Sequence, residues 1–311
     1  MSVRIGYGLG TATARPPDGE RLGALVTALE RHDFDSLWLS ERIGADMVDP
    51  VVGLTYAAAL STKLKLGFSV MVLPGRNPAL VAKQLASLDR LAGGRLLPAF
   101  GLGAPNPREH QAFGIESGER AAWLEEALPL LRRFWTGGPV DHDGGRFHFH
   151  GVEVRPTPLG RKDVWLGGAG ERQLDRVARL ADGWLGSSST PEEAGAGRRL
   201  IEEAARRHGR EVDPGHFGTI VPYSLAPLGD DAVQALMLRR RGRPPVAAHD
   251  LVAQGHDEIA PLLRRHVDNG ITKFVLVPLH EPDDWDAELG ALAQAVDALQ
   301  GAEVRGRQPA A

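Results

Sequence analysis

Several short clusters in this chain carry residue types that could do chemistry. Gly167, Gly168, Ala169 and Gly170 close an apolar run and open a helical one. Glycines there let backbone N–H groups approach a phosphate, and a helix N-terminus adds a favourable dipole. The spacing is not that of a dinucleotide fingerprint, and the acid that would bind a ribose is missing. A tight turn packing helix on strand accounts for the same glycines. Ser187, Ser188 and Ser189 end the next apolar run. Their hydroxyls would extend a phosphate cradle or, equally, form a turn leading to Thr190 as helix cap. Glu41 is a carboxylate followed by Arg42, a guanidinium that stays protonated at neutral pH and is a poor general acid. The pair suits anion binding or a structural ion-pair network. Gly101-Leu102-Gly103 either offers bare backbone to a flat ligand or turns the chain.

His148 and His150 alternate, so a strand would put both on one face, as a metal pair requires. Asp141 and Asp143 lack convincing spacing, so the expectation is a solvated hairpin and no metal site. The chain has no cysteine, which excludes disulfides, thiolate nucleophiles and cysteine-ligated clusters.

The elements that must position these residues alternate between strand and helix. Residues 63–103 are the clearest stretch. Leu64, Leu66, Phe68, Val70 and Val72 alternate with Lys65, Gly67, Ser69 and Met71, the period of a strand. Pro74-Gly75 ends it. Asn77-Pro78 supplies a cap and a first-turn proline, and Val81, Leu85, Leu88 and Ala92 share one helical face that stops at Gly93-Gly94. Residues 95–101 form the next strand, with Pro98 an awkward member because it cannot donate to a ladder. A βαβ unit of this kind builds a parallel sheet with helices outside.

Further strands are expected at 4–9, 35–40, 163–167, 183–187, 217–225 and 273–277. Helices are expected at 20–32, 50–61, 120–135, 171–181, 192–208, 257–269 and 286–299. Pro129 should kink the helix that contains it. Asp89, Trp135 and Asp182 read as packing or capping residues. Residues 137–158 break the alternation as an inserted hairpin, and 230–249, with RRRGRPP at its centre, reads as a mobile flap before the eighth strand. The fold class is therefore an α/β (β/α)8 barrel, a single domain over 1–301, with 302–311 as a frayed tail. In such barrels the active site lies in the loops after the strands.

The 311 residues suit one barrel of about 250 residues plus insertions. A net charge of −4 gives no reason to expect nucleic acid as partner. The basic run at 239–243 has no interleaved aromatics and reads as a solvated loop that could still help hold an anionic tail. No apolar run approaches the ~20 residues that span a bilayer, and no charged segment with an apolar core opens the chain. A soluble cytoplasmic protein is expected, with no membrane partner.

The run LGFSVMVLPGRNPALVAKQLASLDRLAGGRL followed by GLG, together with VWLGGAGERQLDRVARLADGW, resembles the luciferase-like monooxygenase family, the flavin- and deazaflavin-dependent (β/α)8 barrels. Within that family it is most similar to the branch using coenzyme F420. With the opening strand and helix, the resemblance covers most of residues 3–300. It implies a bulged, non-prolyl cis peptide at Ser69-Val70, backing one face of a tricyclic ring. The residues alone would make Ser69 a small inward member of an ordinary strand. It also implies a cofactor phosphate near Gly167, Gly168, Ala169 and Gly170 and near Ser187 and Ser188, with Gly101 and Gly103 beside the ring. Related enzymes often have a histidine where this chain has Arg42, which leaves the proton donor unassigned. Sugar-phosphate-oxidising members carry a carboxylate where this chain has Ala104, which argues against that activity.

The resemblance thus implies an oxidoreductase moving hydride between coenzyme F420 and a small organic substrate, with Glu41 and Arg42 as candidate catalytic residues. The alternative is an FMN-dependent monooxygenase using reduced flavin and O2. A non-catalytic flavin- or deazaflavin-binding barrel is the rival of another class. A hydrolase or metal-dependent lyase using Glu41, Asp46 and a histidine ranks below these. Family members often pair through barrel helices, so a homodimer is expected.

Overall fold

The structure, a computed structural model, describes residues 2–10, 16, 18–240 and 242–300. The expected tail at 302–311 and Arg241 of the basic run lie outside them. Strands and helices alternate from the start: β1 (Arg4–Leu9), α1 (Gly19–Arg31), β2 (Ser36–Leu39), α2 (Pro50–Leu60), β3 (Lys65–Phe68), β4 (Met71–Val72) and α3 (Pro78–Leu91). The chain continues with β5 (Leu96–Leu97), β6 (Ala99–Gly101), α4 (Pro107–Ala112), α5 (Arg120–Thr136), β7 (Val140–Asp143) and β8 (His148–Val152). Then come β9 (Trp165–Gly167), α6 (Glu171–Leu180), β10 (Gly183–Ser187), α7 (Pro191–Arg207), β11 (Phe217–Ser224) and α8 (Asp230–Arg239). Last are β12 (Ala253–Gln254), α9 (His256–Asp268), β13 (Lys273–Pro278) and α10 (Trp285–Val296).

The main sheet runs β4-β6-β9-β10-β11-β13-β1-β2-β3-β5, all parallel, with short β12 added beside β11. Because β4 continues β3 and β6 continues β5, its two ends belong to the same pair of neighbours. Leu66 pairs with Leu96 below the breaks, and Met71 with Phe100 above them. The sheet therefore curls into a closed ring of eight parallel strands, two of them interrupted. Pro98 sits in the β5–β6 break, where no ladder donor is needed, and its carbonyl still accepts from Trp165 N–H at 2.9 Å. That resolves the awkward proline.

The other break changes the sequence reading. The Ser69-Val70 peptide is cis. Leu66 and Phe68 face the helices, and so does Met71, whereas Ser69 meets Ser40 and Val70 packs with the barrel interior. Two consecutive side chains thus turn inward, and the alternation expected from 64 to 72 splits in two.

Local chemistry sets the helix ends. Asn77 Oδ1 accepts from Ala79 N–H at 2.9 Å and Pro78 opens α3, while Thr190 and Glu193 form a reciprocal capping box at α7. Helix α5 runs uninterrupted through Pro129. Buried Asp89 takes N–H groups of Leu96 and Leu159 and the Lys162 ammonium, and Asp182 takes Val164 N–H and Arg132, so both serve packing. The insertion is an antiparallel hairpin of β7 and β8 with His148 and His150 on its exposed face. No helix among the described residues is long and apolar enough to cross a membrane.

Large side chains fill the inside of the barrel. Trp38, Trp165, Ala99, Leu185, Val275 and Val277 form the interior cluster. Below it, Lys273 at the start of β13 is buried against Asp35 at 2.6 Å and lies over the Trp38 ring at 5.6 Å. Lys65 also reaches Asp35, at 2.7 Å. The two lysines hold the Asp35 carboxyl well below the usual carboxylate range, although burial opposes them. Bulk and charge plug this end; at the opposite end Ser40 and Ser69 meet, and Gly8 and Gly10 leave room for Val275 and Val277.

His266 of α9 gives the fold a pH signature. It is buried edge-on to Phe274, its Nδ1 has no protein partner, and burial lowers its pKa from 6.5 to about 4. Below about pH 6.5 the unfolded chain takes a proton that the folded one refuses, so this group's contribution to stability falls as pH drops toward 4. We expect His266→Phe to lose less stability than the native chain between those values, by about 3 kcal/mol at the lower end, in urea melts across pH.

Candidate functional site

Glu41 leaves the end of β2 and folds beneath the barrel mouth. It is buried, and its carboxylate accepts from the backbone N–H of Val72 at 2.6 Å and from the Arg76 guanidinium. Arg76 also donates through Nε to the Val72 carbonyl at 3.0 Å, lies over the Phe113 ring at 5.6 Å, and accepts the Trp123 indole N–H on its own carbonyl. Burial raises the Glu41 pKa, with Arg76 and the Val72 N–H opposing the rise. The carboxylate thus grips the strand just past Ser69-Val70. Arg42 does not pair with it; Arg42 reaches Glu109 of α4 at 3.4 Å and stays partly exposed.

Ser40 and Ser69 meet above this clamp. Ser40 Oγ donates to the Ser69 carbonyl at 3.1 Å and lies 3.1 Å from Ser69 Oγ. Val70 crosses beside them. A methyl group added at Gly101 would sit 2.6 Å from Val70 Cγ2, and one at Gly167 would sit 3.2 Å from Val70 Cγ1. Both glycines therefore leave room for Val70, so the backbone that was expected to face a ligand is already met by a side chain. Gly103, at φ 79, turns the chain against Val72.

The two neighbouring strand ends carry the other cluster. Gly168, at φ 128, has its carbonyl held by the Trp184 indole N–H at 2.7 Å, and Gln173 packs against Gly168 and Gly170. No side chain caps the start of α6 at Gly170, so its first N–H groups and dipole remain free for an anion. Ala169 is half-buried, Ser187 is exposed, and Ser188 takes a left-handed φ of 50.

The segment expected to be a mobile flap is anchored onto this loop. Arg240 is almost fully buried and grips Glu193 of α7 with both terminal nitrogens, at 2.6 and 2.8 Å, while also donating to the Ser188 carbonyl at 2.7 Å. That pairing lowers the Glu193 pKa. Arg243 reaches Ser189 Oγ at 3.1 Å and the Ser187 carbonyl at 3.4 Å, and burial beside Arg240 lowers its pKa.

The structure thus brings Ser69, Val70, Gly101 and Gly167 together, with Glu41 beneath them. It sets Gly168, Ala169, Gly170, Ser187 and Ser188 at adjacent strand ends and leaves Arg42 toward α4. Asp46 is exposed, and no group of three potential metal ligands occurs among the described residues. Arg76 was missed in the sequence. Its only signal was a lone cation between the Gly75 turn and the Asn77 cap. Arg240 and Arg243 were visible only as part of a basic run.

A family model described as Luciferase-like monooxygenase matches residues 2–270. An uncharacterized protein of Mycobacterium tuberculosis is 30% identical over 174 residues, 54% of this chain and 59% of that protein. The chain thus spans about three-fifths of that relative's length. An F420-dependent glucose-6-phosphate dehydrogenase of Kineococcus radiotolerans is 26% identical over 83% of this chain and 77% of its own length. Among solved structures, an F420-dependent secondary alcohol dehydrogenase superposes with a TM-score of 0.80 at 20% identity, over 96% of this chain and 100% of that one. A monooxygenase from Streptomyces bottropensis gives 0.76 at 20% identity, over 95% and 99%. At these identities the superpositions speak to the fold.

The contact at the mouth has a direct test. Gly101→Ala places its methyl against Val70 and should destabilise the protein by about 1–3 kcal/mol. Val70→Ala should remove most of that penalty. A double-mutant cycle in urea should therefore show coupling of about 1 kcal/mol or more; additive effects would dissociate the two residues.

Proposed function

This chain belongs to the luciferase-like monooxygenase family, and on that premise we propose that it is an oxidoreductase whose barrel mouth holds a flat three-ring cofactor, the deazaflavin coenzyme F420. The observation that carries the reading is the inward Val70 seated over Gly101 and Gly167, a firm apolar surface at the end of the barrel where Ser40 and Ser69 meet. The donor set fits the rest of such a cofactor. Ser187 and Ser188, the uncapped start of α6 and the cation of Arg243 lie at two adjacent strand ends, the donor types that a phosphate with an acidic tail would use. The F420-dependent relatives support the choice of deazaflavin.

When bound, the deazaflavin supplies the carbon that gives or takes a hydride. The protein's own part is positional. Val70 would back the ring, Ser40 and Ser69 would offer hydroxyls to it, and Glu41 with Arg76 hold the strand that follows Val70 in place. Arg42, partly exposed beside Glu109, is the cation available to an anionic substrate or to charge on the reduced ring. FMN with oxygen is the second reading, favoured by the monooxygenase among the similar folds. The substrate is a small organic molecule in either case.

A ladder of exposed apolar residues on α2, Val52, Tyr56 and Leu60, together with Leu80 and Leu91 on α3, supports pairing of two copies through these helices.

Titration of the purified protein with F420 and with FMN tests the cofactor. F420 should bind tightly and FMN weakly; tight FMN binding with oxygen-dependent turnover and no F420 binding would reverse the choice. Arg243→Ala should weaken F420 about tenfold and leave a deazaflavin lacking the phosphate tail unchanged.

A further inference from the structure

The closed ring of eight strands puts β11 across the barrel from β3 and β4, four strands away in either direction. On β11, Phe217, Val221 and Tyr223 join the layer under the helices, so Ile220 packs into the barrel interior and Pro222, two residues on, shares its side. Both are partly exposed, whereas Val221 and Tyr223 are buried. Trp38, Trp165 and the Lys273–Asp35 pair close the far end of the barrel, so that exposure is to the mouth. The hollow of the mouth therefore reaches down to Ile220, on the wall opposite Ser69 and Val70.

The same wall continues along β13. Pro222 is level with Val277 in the ladder. Val277, 8% exposed, leans over β1: a methyl group added at Gly10 would sit 2.8 Å from its Cγ1, and one at Gly8 would sit 3.1 Å from its Cγ2. Ile220, Pro222 and Val277 thus form a continuous apolar surface.

Charge is missing from this level of the barrel. Alternation gives the inward position nearest the mouth on the other strands: Ser40 after Trp38, Gly101 after Ala99, Gly167 after Trp165 and Ser187 after Leu185. None of them is ionisable. Glu41 is turned away, bonded to Val72 N–H and Arg76. Arg42 pairs with Glu109 of α4, and Arg243 is engaged with Ser187 and Ser189. A charge carried down between Val70 and Ile220 would lose water and gain no counter-ion.

We propose that Ile220, Pro222 and Val277 form the substrate wall of the mouth, and that this wall selects a neutral, mainly apolar molecule or the neutral, apolar end of one. Any charge on the substrate stays outside, at the level of Arg42. Ile220 is then a specificity-determining residue. The proposal rests on a cofactor ring lying against Val70, which turns the ring's other face toward β11.

Cyclohexyl methyl ketone and cyclohexanecarboxylate have nearly the same shape and differ in charge, so they are suitable probes. Each is titrated into the native protein saturated with whichever oxidised cofactor it binds, F420 or FMN, while the methyl resonances of Ile220 and Val70 are followed by NMR. The ketone should shift the Ile220 methyls, assigned by their loss in Ile220→Ala, and should bind there at least about tenfold more tightly than the carboxylate. Ile220→Ala should weaken the ketone about tenfold. Equal or tighter binding of the carboxylate at Ile220, Ile220 methyls that ignore the ketone, or an unchanged ketone affinity in Ile220→Ala would overturn the proposal and leave the cofactor reading intact. Val70 methyls unmoved by either cofactor would instead remove the premise, and the proposal with it. The comparison of the two probes in the native protein stands by itself if the variant fails to fold.

Discussion

A buried carboxylate organises the mouth of this barrel. Glu41 stands at the end of β2 yet is bonded to the strand next to it, through Val72 N–H and Arg76. Those two bonds fix the chain immediately after Ser69-Val70, where two neighbouring side chains turn inward together. Just before that anchor, Val70 lies against the spaces left by Gly101 and Gly167. Arg76 does more than neutralise: through Phe113 and Trp123 it ties the clamp to the segments after α4 and at the start of α5. Burial raises the carboxyl's pKa, and the Arg76 guanidinium and the Val72 N–H oppose that rise.

The two ends of the barrel divide the work. At the strand starts, Trp38, Trp165 and the Lys273–Asp35 pair fill the interior with bulk and buried charge. At the strand ends Ser40 and Ser69 meet and Val70 sits against Gly101 and Gly167, at the end where barrels of this kind carry their active-site loops. The hydrogen bonds from Arg240 to Glu193 and Ser188 extend this order outward, because they fix the segment before β12 against the loop that carries Ser187 and Ser188. A rigid second cluster, set beside a rigid apolar backing, is what orienting a long, flat, acidic cofactor demands.

Much of the architecture was legible in the residues because local rules and the global fold agree. Asn77-Pro78, the Thr190 capping box and the glycine stops mark helix ends by chemistry that acts within a turn, and the hairpin at 137–158 declared itself by breaking the alternation. What could not be read depends on partners far apart in the chain. Arg76 finds Glu41 across 35 residues and Arg240 finds Glu193 across 47, and neither spacing has a periodicity to expose it. For that reason 230–249 read as a loose flap. Likewise the alternation from Leu64 to Val72 concealed the break at Ser69-Val70, which the family resemblance supplied. Gly101 and Gly167 were singled out as cofactor-binding positions; that both meet Val70 was invisible until the strands were laid together.

The central claim is that a planar cofactor lies against Val70. Methyl NMR of Val70 during titration with F420, and separately with FMN, tests it most directly, because an aromatic ring stacked on a methyl group shifts its resonance through the ring current. A saturable upfield shift of the Val70 methyls that tracks cofactor binding is the expected result. Full binding with those methyls unmoved would place the ring elsewhere and contradict the account.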